Sequence, residues 1–413
     1  MSGGTLIVGA SQAGLQLAVS LRENGYDGPV TLVGAENNPP YQRPALSKKF
    51  LAGQDNITSL SLRTPAFYAG QRINLVCGER IVTVTARPSG SGVATTASGR
   101  AFAFDQLALT VGARPRRLSV PGSNLDGVCY LRHADDALVL RQRLDRAKEV
   151  VVVGGGFIGL EAAAVFRSAG RRVTVVEAAE RLIARAVAPV TSEFYRQAHE
   201  RRGTQIRLGT GVAAIDGAEG RVCGVQLTDG SCLRADLVLV GIGVEPRLEL
   251  AEQLGLHCKG GVVVDGFART SNPRVVAAGD CTVFARPSPT RELMRLESVQ
   301  NAVDQARTAG ATLAGVAFPH TAVPWFWSDQ DTLKLQIAGL SAGHDAIVVR
   351  GDCKAERFSV LYYRSERLIA ADCVNRAADY IAVRRALAQE LTIPKSLAGD
   401  ESIPLKNLAS AES

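Results

Sequence analysis

The pattern that most constrains this chain occurs twice. Thr5-Leu6-Ile7-Val8 is a short apolar run, Gly9-Ala10-Ser11-Gln12-Ala13-Gly14 a turn of small residues, and Leu15 to Leu21 an apolar-periodic stretch. The order reads strand, turn, helix. A second strand follows at Val30 to Val33 and ends at Gly34-Ala35-Glu36. The same order recurs at Val150 to Val153, Gly154-Gly155-Gly156-Phe157-Ile158-Gly159, a helix to about Ala169, a strand Arg172 to Val176, and Glu177. In such a turn the first glycine allows the tight bend, a small second residue lets a phosphate approach, and the third lets helix and strand pack closely. The pyrophosphate of a dinucleotide then meets the helix N-terminus. Two such units in one chain predict an α/β protein with two Rossmann-like dinucleotide-binding domains.

The second copy is a full Gly-x-Gly-x-x-Gly, with its acid 18 residues beyond the last glycine, near the spacing a ribose hydroxyl requires. The first copy has Ser11 at the middle position. A single turn of this kind also occurs as a plain structural loop; two in series, each flanked by strands and closed by an acid, do not fit that reading. Gly9 to Gly14 is not a serine-hydrolase elbow, because that turn needs glycine where Ala13 stands.

Between the units, Asp105 to Gly112 is an apolar strand ending in Thr110-Val111-Gly112, followed by Ala-Arg-Pro-Arg-Arg, a linker. A matching strand at Ala235 to Val240 ends in Gly241-Ile242-Gly243 and closes the second unit. Val262 to Asp265 and Val275 to Asp280 are expected to return the chain to the first sheet. Beyond them, strands are predicted at Leu333 to Ala338, Ala346 to Arg350 and Phe358 to Tyr363, then a helix over about Arg376 to Glu390.

Composition limits the rest. A chain of 413 residues exceeds one ordinary core, and 46% hydrophobic against 21% charged residues excludes disorder. The longest uncharged stretch, Thr308 to Ser328, is crossed by Pro319 and Pro324, so no membrane span is expected. The N-terminus has no basic, then apolar, leader. Eight scattered cysteines without a Cys-x-x-Cys pair, and five scattered histidines, support neither disulfides nor a metal site. Reduced thiols and a cytoplasmic location are expected. A net charge of +7 could attract an acidic protein or nucleic acid, or simply aid solubility. Clusters such as Arg114-Arg116-Arg117 and Arg201-Arg202 read as linker and solvated faces, so no nucleic acid is expected as a partner.

Beside the glycine turns, a specific set of segments runs in order along the chain. They are Pro40-Tyr41-Gln42-Arg43-Pro44-Ala45-Leu46-Ser47-Lys48, Thr110-Val111-Gly112, Ala278-Gly279-Asp280, Glu297 to Ala302, and Val323-Pro324-Trp325-Phe326-Trp327-Ser328-Asp329-Gln330. With these the chain resembles the NADH-dependent ferredoxin reductases of bacterial oxygenase systems, the putidaredoxin reductase type. The resemblance implies a glutathione-reductase-like flavoprotein: an FAD domain at 1–113 and 246–322, an NADH domain at 114–245, and a C-terminal α+β domain at 323–413. Electrons would pass from NADH through FAD, singly, to an acidic [2Fe-2S] ferredoxin serving a cytochrome P450 or a Rieske-type oxygenase. A monomer or weak dimer is expected.

The same resemblance implies the site. Gly9, Ser11, Ala13, Gly14, Glu36, Arg43, Ile81, Thr110, Gly112, Arg132, Gly279, Asp280 and Val299 would hold FAD, and Gly154, Gly156, Ile158, Gly159, Glu177, Arg185 and Gly243 would hold NADH. Lys48 would stand near the reacting edge of the flavin, Glu161 would meet the nicotinamide and could pair with Lys48, and Trp327 would lie beside the flavin at the electron exit. Many relatives carry an acid directly after the glycine equivalent to Gly34, whereas here Ala35 intervenes before Glu36, and Ala45 stands where proline is common. Arg43-Pro44 and Ser47-Lys48 occupy the stretch that carries a redox-active cysteine in related disulfide reductases, which argues against a thiol relay. Glu177 disfavours a 2′-phosphate and so favours NADH over NADPH. Two other readings remain open at this level: a rubredoxin reductase, and a redox-responsive NADH-binding flavoprotein resembling apoptosis-inducing factor.

Overall fold

The computed structural model describes residues 3–87, 90–285 and 292–410; the first two residues of the N-terminal segment, where no leader is expected, lie outside them. The chain forms two compact units, one of Met1–Gln42, Asn56–Arg114 and Val244–Ala322, the other of Arg43–Asp55, Pro115–Gly243 and Val323–Ser413.

The first unit is built on a parallel sheet in the order Val275–Ala277, Gln106–Leu109, Thr5–Val8, Val30–Val33, Ile73–Val76. Its strands are nearly unbroken apolar runs because helices and further sheet cover both faces. Val30–Val33 coincides with its expectation. Helix Gln12–Glu23 packs on helix Val299–Leu313 with backbones close enough that a Cβ on Gly310 would lie 2.7 Å from Ser20 Cβ. The second helix is capped by Ser298, whose hydroxyl accepts the Asn301 N–H.

One expectation needs correction here. Val275–Ala277 does join the first sheet, but Val262–Val264 pairs with Thr282–Ala285 in a separate three-stranded sheet. Both runs are short, buried and valine-rich, and such composition sets burial without choosing the partner strand.

The second unit contains another parallel sheet, in the order Gln205–Arg207, Arg172–Val176, Glu149–Val153, Leu237–Val240, Val128–Tyr130. Helix Phe157–Ser168 follows the glycine turn, as expected. The C-terminal part is a five-stranded antiparallel sheet, Trp325–Gln330, Leu333–Gly339, Arg367–Val374, Arg357–Arg364, Ala346–Asp352, with helix Ala377–Ala388 against it. Strand Arg367–Val374 went unpredicted, although it lies between two others in the sheet. Buried Arg350 ties down the tail by donating to the carbonyls of Ala398, Asp400 and Ile403.

Candidate functional site

In the first unit the predicted residues gather at the carboxyl ends of the parallel strands, where ligands of open α/β sheets bind. Gly9 follows Thr5–Val8 with φ +116°, and a Cβ there would lie 2.2 Å from the Thr110 carbonyl oxygen. Gly14 is equally constrained, its Cβ position lying 2.1 Å from the Gly9 oxygen. Thr110, after Gln106–Leu109, fastens the turn by donating to the carbonyls of Val8 and Gly9. Ser11 precedes the helix as its N-cap residue, and Ala13 is buried in its first turn. Gly112 follows Thr110 with φ +66°.

Gly279 follows Val275–Ala277 with φ +86°, and its N–H donates to Gln305 Oε1 at 2.8 Å. A Cβ on it would meet Ala13 at 3.4 Å and Ala302 at 3.6 Å, so Gly279 sits between the starts of the two packed helices. Asp280 is half-buried and Val299 opens the second helix. Nearby, Asn301 Oδ1 is buried with no protein partner. A glycine turn, a half-buried acid and two helix N-termini with an unsatisfied acceptor fit a dinucleotide. Glu36, after Val30–Val33, accepts the Tyr41 hydroxyl at 2.5 Å, whereas Ala35 is exposed. Ile81 opens strand Ile81–Ala86 with its side chain in the core, so only its backbone could face a ligand.

The glycine turn of the second unit repeats this construction. Gly154 has φ +108° and would clash with the Gly241 oxygen at 2.4 Å, while Gly159 would meet the Gly154 oxygen at 2.1 Å. Gly156 differs: a Cβ on it would meet nothing within 4 Å. Packing does not demand glycine there, whereas a phosphate approaching the helix N-terminus would. Ile158, 45% exposed, lies in the same first turn. Glu177 closes the turn from the neighbouring strand, accepting the N–H of Gly155 at 2.6 Å and that of Ala179 at 2.8 Å. Gly243, φ +98°, lies beside Arg185 and also beside Arg116, whose N–H donates to the Gly243 oxygen. Sequence reasoning left Arg116 in the linker because nothing local marks it.

Also in this unit, the short helix Arg43–Ser47 meets the start of helix Phe157–Ser168. Glu161 lies past the first turn of that helix and is 2% exposed. One carboxylate oxygen accepts the Ser47 hydroxyl at 2.5 Å and pairs with Lys48 Nζ at 2.7 Å; the other accepts the Ser328 hydroxyl at 2.7 Å. Lys48 also donates to the Pro44 carbonyl. Behind Ser328, Gln330 donates to its hydroxyl and bonds the ring of His199, whose pKa burial pushes down. Strand Trp325–Gln330 alternates, so Ser328 and Gln330 are buried while Trp327 is half-exposed, its ring 5.5 Å from that of Trp325. Arg43 donates to the Arg132 carbonyl at 2.8 Å and lies 3.1 Å from His133 Nδ1. The structure thus brings Lys48 and Glu161 together and adds Ser47 and Ser328, which sequence reasoning missed.

All eight cysteines are free. Burial pushes the thiol of Cys129 up to about 11 and those of Cys281 and Cys373 up to about 12. No group of three or more metal-binding side chains occurs among the described residues.

The family model for pyridine nucleotide-disulphide oxidoreductases matches residues 4–306, and that for the reductase C-terminal domain residues 325–409. The chain is 44% identical over 401 residues to rhodocoxin reductase of Rhodococcus erythropolis, covering 97% of this chain and 93% of that one. Its structure is similar to the ferredoxin reductase of the CYP199A2 system from Rhodopseudomonas palustris, with TM-score 0.95 and 43% identity over 99% of this chain and 100% of that one. It is also similar to putidaredoxin reductase in a covalent complex with putidaredoxin, with TM-score 0.92 and 39% identity over 98% and 97% of the two chains.

Proposed function

Since the chain belongs to the pyridine nucleotide-disulphide oxidoreductase family and carries the reductase C-terminal domain, we propose that it draws hydride from NADH and delivers electrons singly to an acidic [2Fe-2S] ferredoxin of an oxygenase system. It is a ferredoxin reductase of the putidaredoxin reductase type, an oxidoreductase that uses FAD and NAD(H). FAD, when bound, supplies the conversion of a two-electron donation into two one-electron ones. The chain's own residues bind, orient and balance charge.

The observation that carries the reading is the pairing of buried Glu161 with Lys48, which lies in the segment where disulfide reductases place a cysteine. Lys48 provides a fixed ammonium for negative charge that develops on a reduced ring, and Glu161, held by Ser47 and Ser328, fixes where that ammonium stands. Gly156 leaves room for the pyrophosphate of NADH, and Glu177 favours a ribose hydroxyl over a 2′-phosphate. FAD is assigned to Gly9, Thr110, Gly279 and Asp280 and, on the strength of the resemblance, to Arg43, Lys48, Arg132 and Trp327, with Trp327 also assigned to the electron exit. The net charge of +7 suits an acidic partner. No helix among the described residues is long and apolar enough to cross a membrane, and the proposed place of action is the cytoplasm.

Two measurements test the reading. Anaerobic stopped-flow should show the flavin bleached by NADH much faster than by NADPH. Cytochrome c reduction should then depend on an added [2Fe-2S] ferredoxin and proceed faster than with rubredoxin. Rapid bleaching followed by slow reoxidation with every ferredoxin offered would sink the reductase reading in favour of a redox-responsive binding protein.

A further inference from the structure

Residues 181–187 form a loop beside the second glycine turn whose construction the proposed reaction has not used. Ile183 adopts φ +52°, and among the described non-glycine residues with positive φ it is the only β-branched one, a conformation that persists only where its surroundings enforce it. Its N–H donates to the Gly155 carbonyl at 3.0 Å, on the peptide unit next to the N–H that Glu177 engages. Leu182 closes over the same glycine, for a Cβ on Gly155 would lie 2.5 Å from Leu182 Cδ2.

What enforces the loop is one guanidinium. Arg181 donates to the carbonyls of Val187 at 2.7 Å and Ala184 at 2.5 Å and to the Ser192 hydroxyl at 2.8 Å. The Ser192 hydroxyl in turn donates to the Leu182 carbonyl at 2.6 Å. The loop is thus wrapped around Arg181 from both ends. Within 181–187 only Arg185 is exposed, and its guanidinium lies 3.7 Å from a Cβ placed on Gly243.

We infer that Arg181 is a positioning residue for the nicotinamide dinucleotide: it holds the strained loop against the glycine turn, so that Arg185 is already in place when the ribose and phosphates arrive. The inference rests on the reading of Arg185 as a contact to that part of NADH. A loop ordered beforehand does not charge its ordering to the ligand, and a loop that is competent only part of the time weakens apparent affinity by that fraction.

The test is calorimetric titration of ADP-ribose into oxidised, FAD-loaded enzyme, alongside reduction kinetics with NADH. Arg181→Gln should weaken ADP-ribose binding about tenfold and raise the KM for NADH similarly, with the limiting reduction rate unchanged. Arg185→Gln should weaken binding to a like degree, and the double variant should bind no more weakly than the weaker single one, since one residue acts through the other. Ser192→Ala, a milder cut in the same support, should weaken binding in the same direction and serves if Arg181→Gln fails to fold. If Arg185→Gln weakens binding while Arg181→Gln and Ser192→Ala do not, the positioning role is overturned and the Arg185 contact stands. Multiplicative effects in the double variant would also overturn it. Unchanged binding in Arg185→Gln would instead remove the reading of Arg185 on which the inference rests.

Discussion

Lys48 Nζ stands 2.7 Å from Glu161 Oε2, with the lysine side chain 17% exposed and the glutamate 2%. The two ends of this pair are unequal, because Lys48 can turn toward water and Glu161 cannot. Removing a partner from a buried ion pair strands the charge that remains. Lys48→Ala should therefore destabilise the protein by about 3 kcal/mol or more. Glu161→Gln, which leaves the more exposed ammonium and can still accept from one of the two hydroxyls of Ser47 and Ser328, should cost roughly half as much. Urea unfolding at matched FAD content checks the order, and equal losses would contradict it. Both variants should slow anaerobic reduction by NADH, Lys48→Ala by about a hundredfold.

Glu177 has two tasks that one substitution separates. Its carboxylate accepts two backbone N–H groups, and its charge is proposed to oppose a 2′-phosphate. Glu177→Gln can keep one of those bonds and removes the charge, so kcat/KM for NADPH relative to NADH should rise about tenfold. Adding an arginine nearby should raise the ratio further. A ratio that does not move would place discrimination elsewhere.

How much of this was legible depends on range. The glycine turns were readable because part of their constraint is local: Gly9 and Gly154 take positive φ, and Gly14 and Gly159 approach the Gly9 and Gly154 carbonyls within one strand, turn and helix. Glu161's other supports were not, since Ser47 and Ser328 reach it from 114 and 167 residues away. Alternation along Trp325–Gln330 tells that Ser328 faces away from Trp327, but not what it meets. Lys48–Glu161 was foreseen through the family resemblance alone, as two lone charged residues carry no spacing signal. The sequence does not mark strand Arg367–Val374 because Asp372 interrupts its apolar run, and that aspartate is accommodated by Tyr362 on the neighbouring strand and by Thr191, 181 residues away.

Asp372 is fully buried, accepts the Tyr362 hydroxyl and the Thr191 hydroxyl, and leaves Oδ1 without a partner. Burial pushes its pKa up to about 7 from an ordinary 3.8. The folded state therefore holds a proton that the unfolded chain releases at lower pH. The stabilisation is fully present below the unfolded value and is lost as pH rises through the folded one. Asp372→Asn stays neutral throughout, so its stability relative to wild type should improve by a few kcal/mol, on the order of 2–4, between about pH 4 and about pH 8. Unfolding curves across that range check it, and a difference independent of pH would refute the assignment.

Alkylation of the thiols should leave NADH-dependent dye reduction largely intact. The buried thiols of Cys129, Cys281 and Cys373 are held in the unreactive protonated form by their surroundings, and no cysteine lies in the Arg43–Lys48 stretch. Loss of flavin reduction at unchanged FAD occupancy and unchanged circular dichroism would restore a thiol step.

The two halves of the reaction should fail separately. Lys48 and Glu161 are proposed to serve hydride arrival, whereas Trp327, on the opposite side of its strand from Ser328, is assigned to electron exit. Trp327→Ala removes an aromatic contact with Trp325 but leaves the Ser328 bond to Glu161 on the backbone that carries it. NADH reduction of the flavin should then keep its rate within about twofold, while ferredoxin-dependent turnover falls about tenfold or more, a difference of roughly 1.4 kcal/mol in the barrier to the second step. Wild-type turnover should weaken as salt is added, because an acidic ferredoxin meeting a chain of net charge +7 loses its steering once the screening length shrinks. Stopped-flow reduction followed by ferredoxin-coupled cytochrome c reduction reports the two steps in turn. If Trp327→Ala slowed hydride arrival and spared electron exit, the tryptophan would belong to the nicotinamide side, and the exit would have to be sought on another face of the second unit.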